Sequence, residues 1–220
     1  MCAAAGCNHL DCAGSPFRVV FVGTQWLSPS LASVYIYSSE IGVWSDVLTT
    51  VQHRCPIGSG RTTLVGNALY FWFQGRSGVL KHDLDTQMSW VEQTPASIEG
   101  ERVLLTATED GRLGFAMIQQ SKLNMWSRDA DGWAQNRVIE LSTLLPASAF
   151  SYPPQLVAFA DGIGVTVIVQ TVDGLFAIDL KASHVRDRKE FKTPFLRCCS
   201  LCELLHSRYG LNIRNENTFN

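Results

Sequence analysis

A strand–turn–strand unit that returns with a period in the forties constrains this chain more than any other feature. Its plainest copy runs from Leu64 to Trp90. Leu64-Val65 enters a Gly66-Asn67 turn, and Ala68 to Phe73 is an aromatic-rich run of strand length. Gly75-Arg76-Ser77-Gly78 is turn chemistry, and Val79 to Leu84 returns as a second apolar strand. The acidic turn Asp83-Leu84-Asp85-Thr86 then leads to Trp90. The glycine spacing breaks any helical period, so the segment reads as a small antiparallel meander.

Three other stretches repeat the pattern. Val34 to Glu40 leads to Trp44, and Leu123 to Asp129 leads to Trp133, so the tryptophans are spaced by 46 and 43 residues. A fourth copy, Leu175 to Leu180, ends at Val185 without a tryptophan. The hairpin entrance recurs as Gly66-Asn67, Asp110-Gly111 and Asp161-Gly162. A strand-rich unit of this period points to a four-stranded propeller blade of the kelch or WD kind. The expected fold is therefore all-β: a partial β-propeller of about four antiparallel blades with a short C-terminal helical tail. An irregular sandwich whose turns merely recur is the competing reading.

Structural anchors of the repeat are Trp44, Trp90 and Trp133, with Gly66, Asp83, Asp110, Gly111, Asp161 and Gly162 at its turns. Tryptophans buried between blades would make truncation of Trp90 or Trp133 to Ala cost about 3–5 kcal/mol.

Along the chain, residues 1–16 read as a flexible N-terminus, 17–185 as the repeat domain and 186–220 as a divergent tail. Ser142 to Pro154 is a longer loop suited to a one-turn helix around Thr143-Leu144-Leu145. In the tail, the charge run Arg186 to Glu190 falls outside the repeat, and Pro194-Phe195 opens a stretch suited to an amphipathic helix. Its leucines at 201, 204 and 205 are expected to cover an open edge of the segment Leu156–Leu180; failing that, the array would self-associate through that edge.

With 18 basic and 20 acidic residues, no polybasic footprint argues for nucleic acid or an anionic membrane. Seven cysteines without a secretory start or an Asn-x-Ser/Thr site suit reduced thiols inside the cell, in cytoplasm or nucleus. The most apolar window, Leu156 to Leu180, carries Asp161 and Asp173 and reads as buried strands rather than a membrane span.

No catalytic constellation emerges. There is no Gly-x-Ser-x-Gly elbow, no His-Glu-x-x-His and no carboxylate pair around a histidine. Ile57 to Thr63 lacks the first glycine and the lysine of a phosphate loop. Cys198, Cys199, Cys202 and His206 have ligand-like helical spacing, but a second pair would have to come from Cys2, Cys7, His9 or Cys12 at the far end. Small apolar residues on a tail helix are the simpler reading, so neither a metal nor a cofactor is expected. Candidate partner contacts are Trp26, in a loop, and Arg61 and Arg76, on turns, because Trp and Arg are the types enriched in hot spots.

Arg61 to Tyr70, the Asp83 to Thr86 turn, Ala107 to Gly114 and Met125-Trp126 together resemble the C-terminal repeat region of plant F-box proteins, especially the large grass groups. The resemblance spans about Phe17 to Leu180. It implies a kelch-like propeller domain that captures a protein substrate for ubiquitination, without catalysis of its own. An F-box normally lies N-terminal to such a domain. No Leu-Pro-rich helical segment precedes Phe17, so the chain alone is not expected to dock on the ligase adaptor. The other function class is an enzyme or small-ligand binder using the central channel of a propeller.

Overall fold

Short apolar runs, interrupted by Gly, Asn and Asp at the turns, leave this chain one inexpensive way to satisfy its backbone, which is antiparallel pairing of sequence neighbours. The computed structural model of the protein describes residues 16–25, 30–46, 49–53, 55–58, 62–73, 78–98, 102–160 and 165–190. Among these, sixteen strands form four antiparallel sheets of four strands each. The fold is all-β, and its repeating element is the four-stranded blade from which propellers are made.

The first sheet is built from β1 (Arg18–Gln25), β2 (Ser30–Ser38), β3 (Val43–Trp44) and β4 (Thr49–His53). It departs from a simple meander. β2 is central and pairs with β1 on one side; on the other it pairs with β3 near its end and β4 near its start. The second sheet follows chain order through β5 (Thr63–Val65), β6 (Ala68–Trp72), β7 (Val79–Asp83) and β8 (Ser89–Glu92). So do the third, with β9 (Val103–Ala107), β10 (Leu113–Gln119), β11 (Lys122–Arg128) and β12 (Trp133–Glu140), and the fourth, with β13 (Gln155–Phe159), β14 (Thr166–Thr171), β15 (Gly174–Asp179) and β16 (His184–Glu190).

The chain divides into two units, residues 1–62 with 67–100, and residues 63–66 with 101–220. The first unit packs one face of the first sheet (Val20, Val22, Ala32, Val34) against Leu69, Phe71, Phe73 and Leu80. The second unit packs Leu104, Ala116, Leu123 and Ile139 of the third sheet against Phe159, Val167, Val169, Phe176 and Ile178 of the fourth. The one-turn helix expected around Thr143-Leu144-Leu145 is a 3-10 turn at Leu141–Thr143. A second turn follows at Ala147–Phe150, and Leu141, Leu145 and Ala149 join this core.

The turns carry the local chemistry. Gly66 (φ +56°) and Gly111 (φ +74°) adopt left-handed conformations that a side chain strains, which is why glycine stands there. Asp83 closes the hairpin between β7 and β8: its Oδ1 accepts the amide N–H groups of Asp85 (3.1 Å) and Thr86 (2.9 Å). Asp129 accepts those of Asp131 and Gly132 in the same way, both at 3.0 Å, and Asp179 accepts that of Ala182 at 2.9 Å. An Asp at the third-to-fourth strand turn is thus common to three sheets. At the other end of the third sheet, Asp110 accepts the Thr108 hydroxyl (2.5 Å) and pairs with Arg112. Asp161 and Gly162 lie outside the described residues.

The charge run Arg186 to Glu190, read from sequence as outside the repeat, is part of β16, so the fourth sheet extends at least to Glu190. The strand is outermost in its sheet, so its sequence need not alternate, and charges at a sheet edge discourage edge pairing. Arg186 reaches back to the Asp179 carboxylate (2.5 Å), which is nearly buried at the end of β15. The helix expected after Pro194 lies outside the described residues.

A candidate protein-interaction face on the first sheet

Strand alternation sorts β1 into two faces. Val20 and Val22 turn to the core of the first unit, leaving Val19, Phe21 and Gly23 on the opposite face. The register places these beside Tyr37, Tyr35 and Ser33 of β2, and Trp44 of β3 lies opposite Tyr37. The result is a contiguous aromatic surface. Phe21 packs on Tyr35 with centroids 6.0 Å apart and meets Trp44 edge-on at 6.5 Å. Tyr37 lies 5.5 Å from Trp44 and 6.1 Å from Phe17.

Local structure fixes Trp44 there. Gly42, at φ +70°, turns the chain back with its N–H on the Ser38 carbonyl. Ser45 then clamps β3 to β2: its hydroxyl accepts the Ile36 N–H at 3.0 Å, and its own N–H donates to the Ile36 carbonyl. Gly23 leaves room beside Phe21, since a Cβ there would stand 3.2 Å from the Phe21 ring. A hollow of about 500 Å³ opens at this point; among the described residues it is lined by Phe21, Gly23, Thr24, Gln25, Ser33, Tyr35 and Trp44, none of them charged.

About half of this surface is wet. Phe21 is 55% exposed and Trp44 52%, with Phe17 and Val19 close behind. The inner strands of the other three sheets differ. On β6 all five residues are buried, as are Leu113 to Met117 of β10 and all of β15. Alternation means that both faces of those strands are covered, whereas on the outer face of the first sheet Val19, Phe21 and Trp44 are exposed, Tyr35 and Tyr37 half-buried and only Ser33 buried.

These positions correct the reading of the tryptophans as buried anchors. Trp44 and Trp90 stand on outer strands and are 52% and 40% exposed. The Trp90 ring is covered in part by the Lys81 ammonium, 4.7 Å from its centroid. Trp133 is half-buried, its ring 4.9 Å from that of Phe115. The outermost strand of a blade needs no tryptophan in the core, because its neighbours cover only part of it. Trp26, Arg61 and Arg76, the candidate partner contacts, lie outside the described residues. Sequence reasoning passed over Phe17, Phe21, Tyr35 and Tyr37 as ordinary strand residues. The available signal was that β1 and β2 carry apolar residues at both parities of the alternation.

A smaller cavity of about 210 Å³ in the second unit is lined by Thr108, Glu109, Trp126, Arg137 and Lys181 among others. Its charges are already engaged: Lys181 pairs with Glu109 at 2.7 Å, and Arg137 donates to the Ser183 hydroxyl at 2.8 Å. It is a joint between two blades. Among the described residues no group of three His, Cys, Asp or Glu could hold a metal ion, and no helix is long and apolar enough to cross a membrane. The set Cys198, Cys199, Cys202 and His206 lies outside them.

His82 is the one fully buried histidine among the described residues. Its Nδ1 lies 2.9 Å from the Ser89 hydroxyl, and its Nε2 is buried without a hydrogen-bond partner. Burial holds its pKa below the ordinary histidine value, against the opposing field of Asp83. The folded protein therefore binds this proton less readily than the unfolded chain, which titrates near 6.5. Stability is fully present above about pH 6.5 and declines as the pH falls below it. The urea midpoint should drop between about pH 7 and pH 5, and His82→Gln should flatten that decline. An identical slope in the variant would mean that other groups carry it.

No protein-family model matches the chain, and no curated protein sequence matches it. Among solved structures it is similar to the WD40 domain of SCAP from fission yeast, at 8% identity and a TM-score of 0.42, over 74% of this chain and 42% of that one. It is also similar to a chain of the Mitotic Checkpoint Complex, at 14% identity and a TM-score of 0.45, over 76% and 48%. The chain spans less than half the length of either.

Proposed function

We propose that this chain is a non-catalytic protein-interaction module made of propeller-type blades, which binds a protein through the aromatic face of its first sheet. The observation that carries the reading is that face. Phe21, Tyr35, Tyr37 and Trp44 form one contiguous surface, half of it wet, while the inner strands of the other sheets are covered on both sides. Exposed aromatic surface of this kind marks binding sites, because Tyr, Trp and Phe contribute large contact area at low entropic cost. The described residues of this face carry no charge, which favours a protein surface over a nucleic acid or an anionic membrane.

The finer reading follows the resemblance to plant F-box proteins. The module presents a substrate to a ubiquitin ligase in the cytoplasm or nucleus, and an F-box carried elsewhere would supply the docking to the ligase adaptor. Affinity capture from a plant cell extract tests the interaction reading. Proteins retained by the wild type and by Val138→Lys, an exposed apolar position on the third sheet, should be lost with Phe21→Lys. An identical captured set for all three proteins would overturn it. Micromolar binding of the isolated chain to the adaptor would overturn the assignment of docking to a separate F-box.

A further inference from the structure

We infer that Asp131 is a site of spontaneous covalent modification, which isomerises through a succinimide to isoaspartate across its bond to Gly132. The chemistry starts in the sequence. An Asp–Gly pair closes the five-membered imide readily, because glycine brings no Cβ to crowd the attacking nitrogen. Four such pairs occur, at 110–111, 131–132, 161–162 and 173–174. Three lie among the described residues, and their surroundings separate them.

Closure needs a carboxyl group free to swing onto its own main chain and a following amide that can give up its proton. Asp110 is held: it accepts the Thr108 hydroxyl and pairs with Arg112. The next amide, Gly111 N–H, donates to a neutral acceptor, the Thr108 carbonyl, at 2.9 Å. Asp173 is held too, accepting the Ser148 hydroxyl at 2.5 Å, and Gly174 is buried as the first residue of β15. Asp131 has neither restraint. It is exposed at the tip of the β11–β12 hairpin, and its carboxylate has no hydrogen-bond or ionic partner among the described residues. The turn is also open, since a Cβ built on Gly132 would meet nothing within 4 Å.

Asp129 supplies the base. Its Oδ1 accepts the Gly132 N–H at 3.0 Å, within the reach that proton transfer requires. The bond that shapes the turn therefore also places a carboxylate on the proton that must leave. In the first step the Gly132 nitrogen bonds to Cγ of the protonated Asp131 carboxyl while its own proton passes to Asp129. The Cγ hydroxyl takes up that proton and departs as water, which leaves the imide and restores the Asp129 carboxylate. Water then adds to either imide carbonyl. Opening at Cγ returns Asp131, whereas opening at the α-carbonyl leaves the chain running through Cγ, with the carboxylate on Cα.

The product matters to the fold because isoaspartate adds a methylene to the main chain inside a tight turn. Asp129 accepts two amides of this turn, both at 3.0 Å, and its own N–H donates to the Gly132 carbonyl at 2.8 Å. A lengthened chain cannot keep all three bonds. Trp133 follows directly, with its ring 4.9 Å from that of Phe115. Modification at Asp131 therefore loosens the outer strand of the third sheet as the protein ages.

Ageing the purified 220-residue protein for weeks, folded and in concentrated urea, tests the inference. After digestion, peptides carrying isoaspartate are identified by labelling with an isoaspartyl methyltransferase. In urea Asp110, Asp131 and Asp173 should convert at similar rates. In the folded protein Asp131 should convert severalfold faster than either of the others. Asp129→Asn keeps an acceptor for the turn but removes the base, and should slow conversion at Asp131 severalfold. A circular dichroism melt matching the wild type confirms that this variant is folded. Equal rates at the three sites of the folded protein overturn the inference, and so does a folded Asp131 that stays unmodified while the urea sample converts. An Asp129→Asn variant that ages like the wild type overturns the assignment of Asp129 as the base.

Discussion

Phe115→Ala is expected to lower the free energy of unfolding by about 3–5 kcal/mol, more than any tryptophan truncation on the outer strands. Phe115 is fully buried in the middle of β10. Its ring stacks on Trp126, with centroids 5.8 Å apart and planes 15° from parallel, and meets Trp133 at 4.9 Å. Removing it deletes the ring both indoles pack against, and strand pairing on either side prevents the site from collapsing. Lost transfer energy and a residual cavity therefore add. Trp90→Ala, by contrast, removes a 40% exposed ring whose particular contact is the Lys81 ammonium, so its cost should be about 1 kcal/mol. Urea denaturation of the two variants checks the order. A Trp90 variant as destabilised as the Phe115 variant would restore the reading of Trp90 as a buried anchor.

Gly114→Val should be the second large effect, from the opposite cause. Gly114 precedes Phe115 on β10, pairs with Thr106 and Ser127, and has ordinary strand dihedrals, so its backbone does not require glycine. Space does. A Cβ would stand 2.9 Å from Thr108 Cγ2 and 3.0 Å from the carbonyl oxygen of Trp126. Thr108 can rotate only at the loss of its bond to Asp110, and the Trp126 carbonyl belongs to a strand held by partners on both sides. The added methyl groups of valine must spread β10 from β11, at a cost of about 1–3 kcal/mol. Gly114→Ala should cost less, with the same sign. A valine variant within about 0.5 kcal/mol of the wild type would mean that the sheet opens more readily than its pairing suggests.

Much of this organisation was legible in the residues themselves. Short apolar and aromatic runs broken by Gly66-Asn67, Asp110-Gly111 and Asp83 to Thr86 specify strands, hairpins and their turns through local backbone preference alone. The strands of the second and third sheets fall close to where those signals place them. The fourth strand of the last sheet was hidden because β16 is the outer strand of its sheet, and its run of charges carries no alternation to read. Trp44 was singled out, but for burial and not exposure.

That last difference marks the boundary. The sequence by itself determines which residues share a face of a strand, since side chains alternate with a fixed period. It does not determine whether that face is covered. β6 and the pair β1–β2 both carry apolar residues at both parities, yet β6 is buried throughout while Phe21, on the outer face of the pair, is 55% exposed. Burial depends on which sheet lies against which face, and such contacts join residues far apart in the chain that leave no local period behind. Only the tertiary structure could turn the aromatic residues of the first sheet from core into surface.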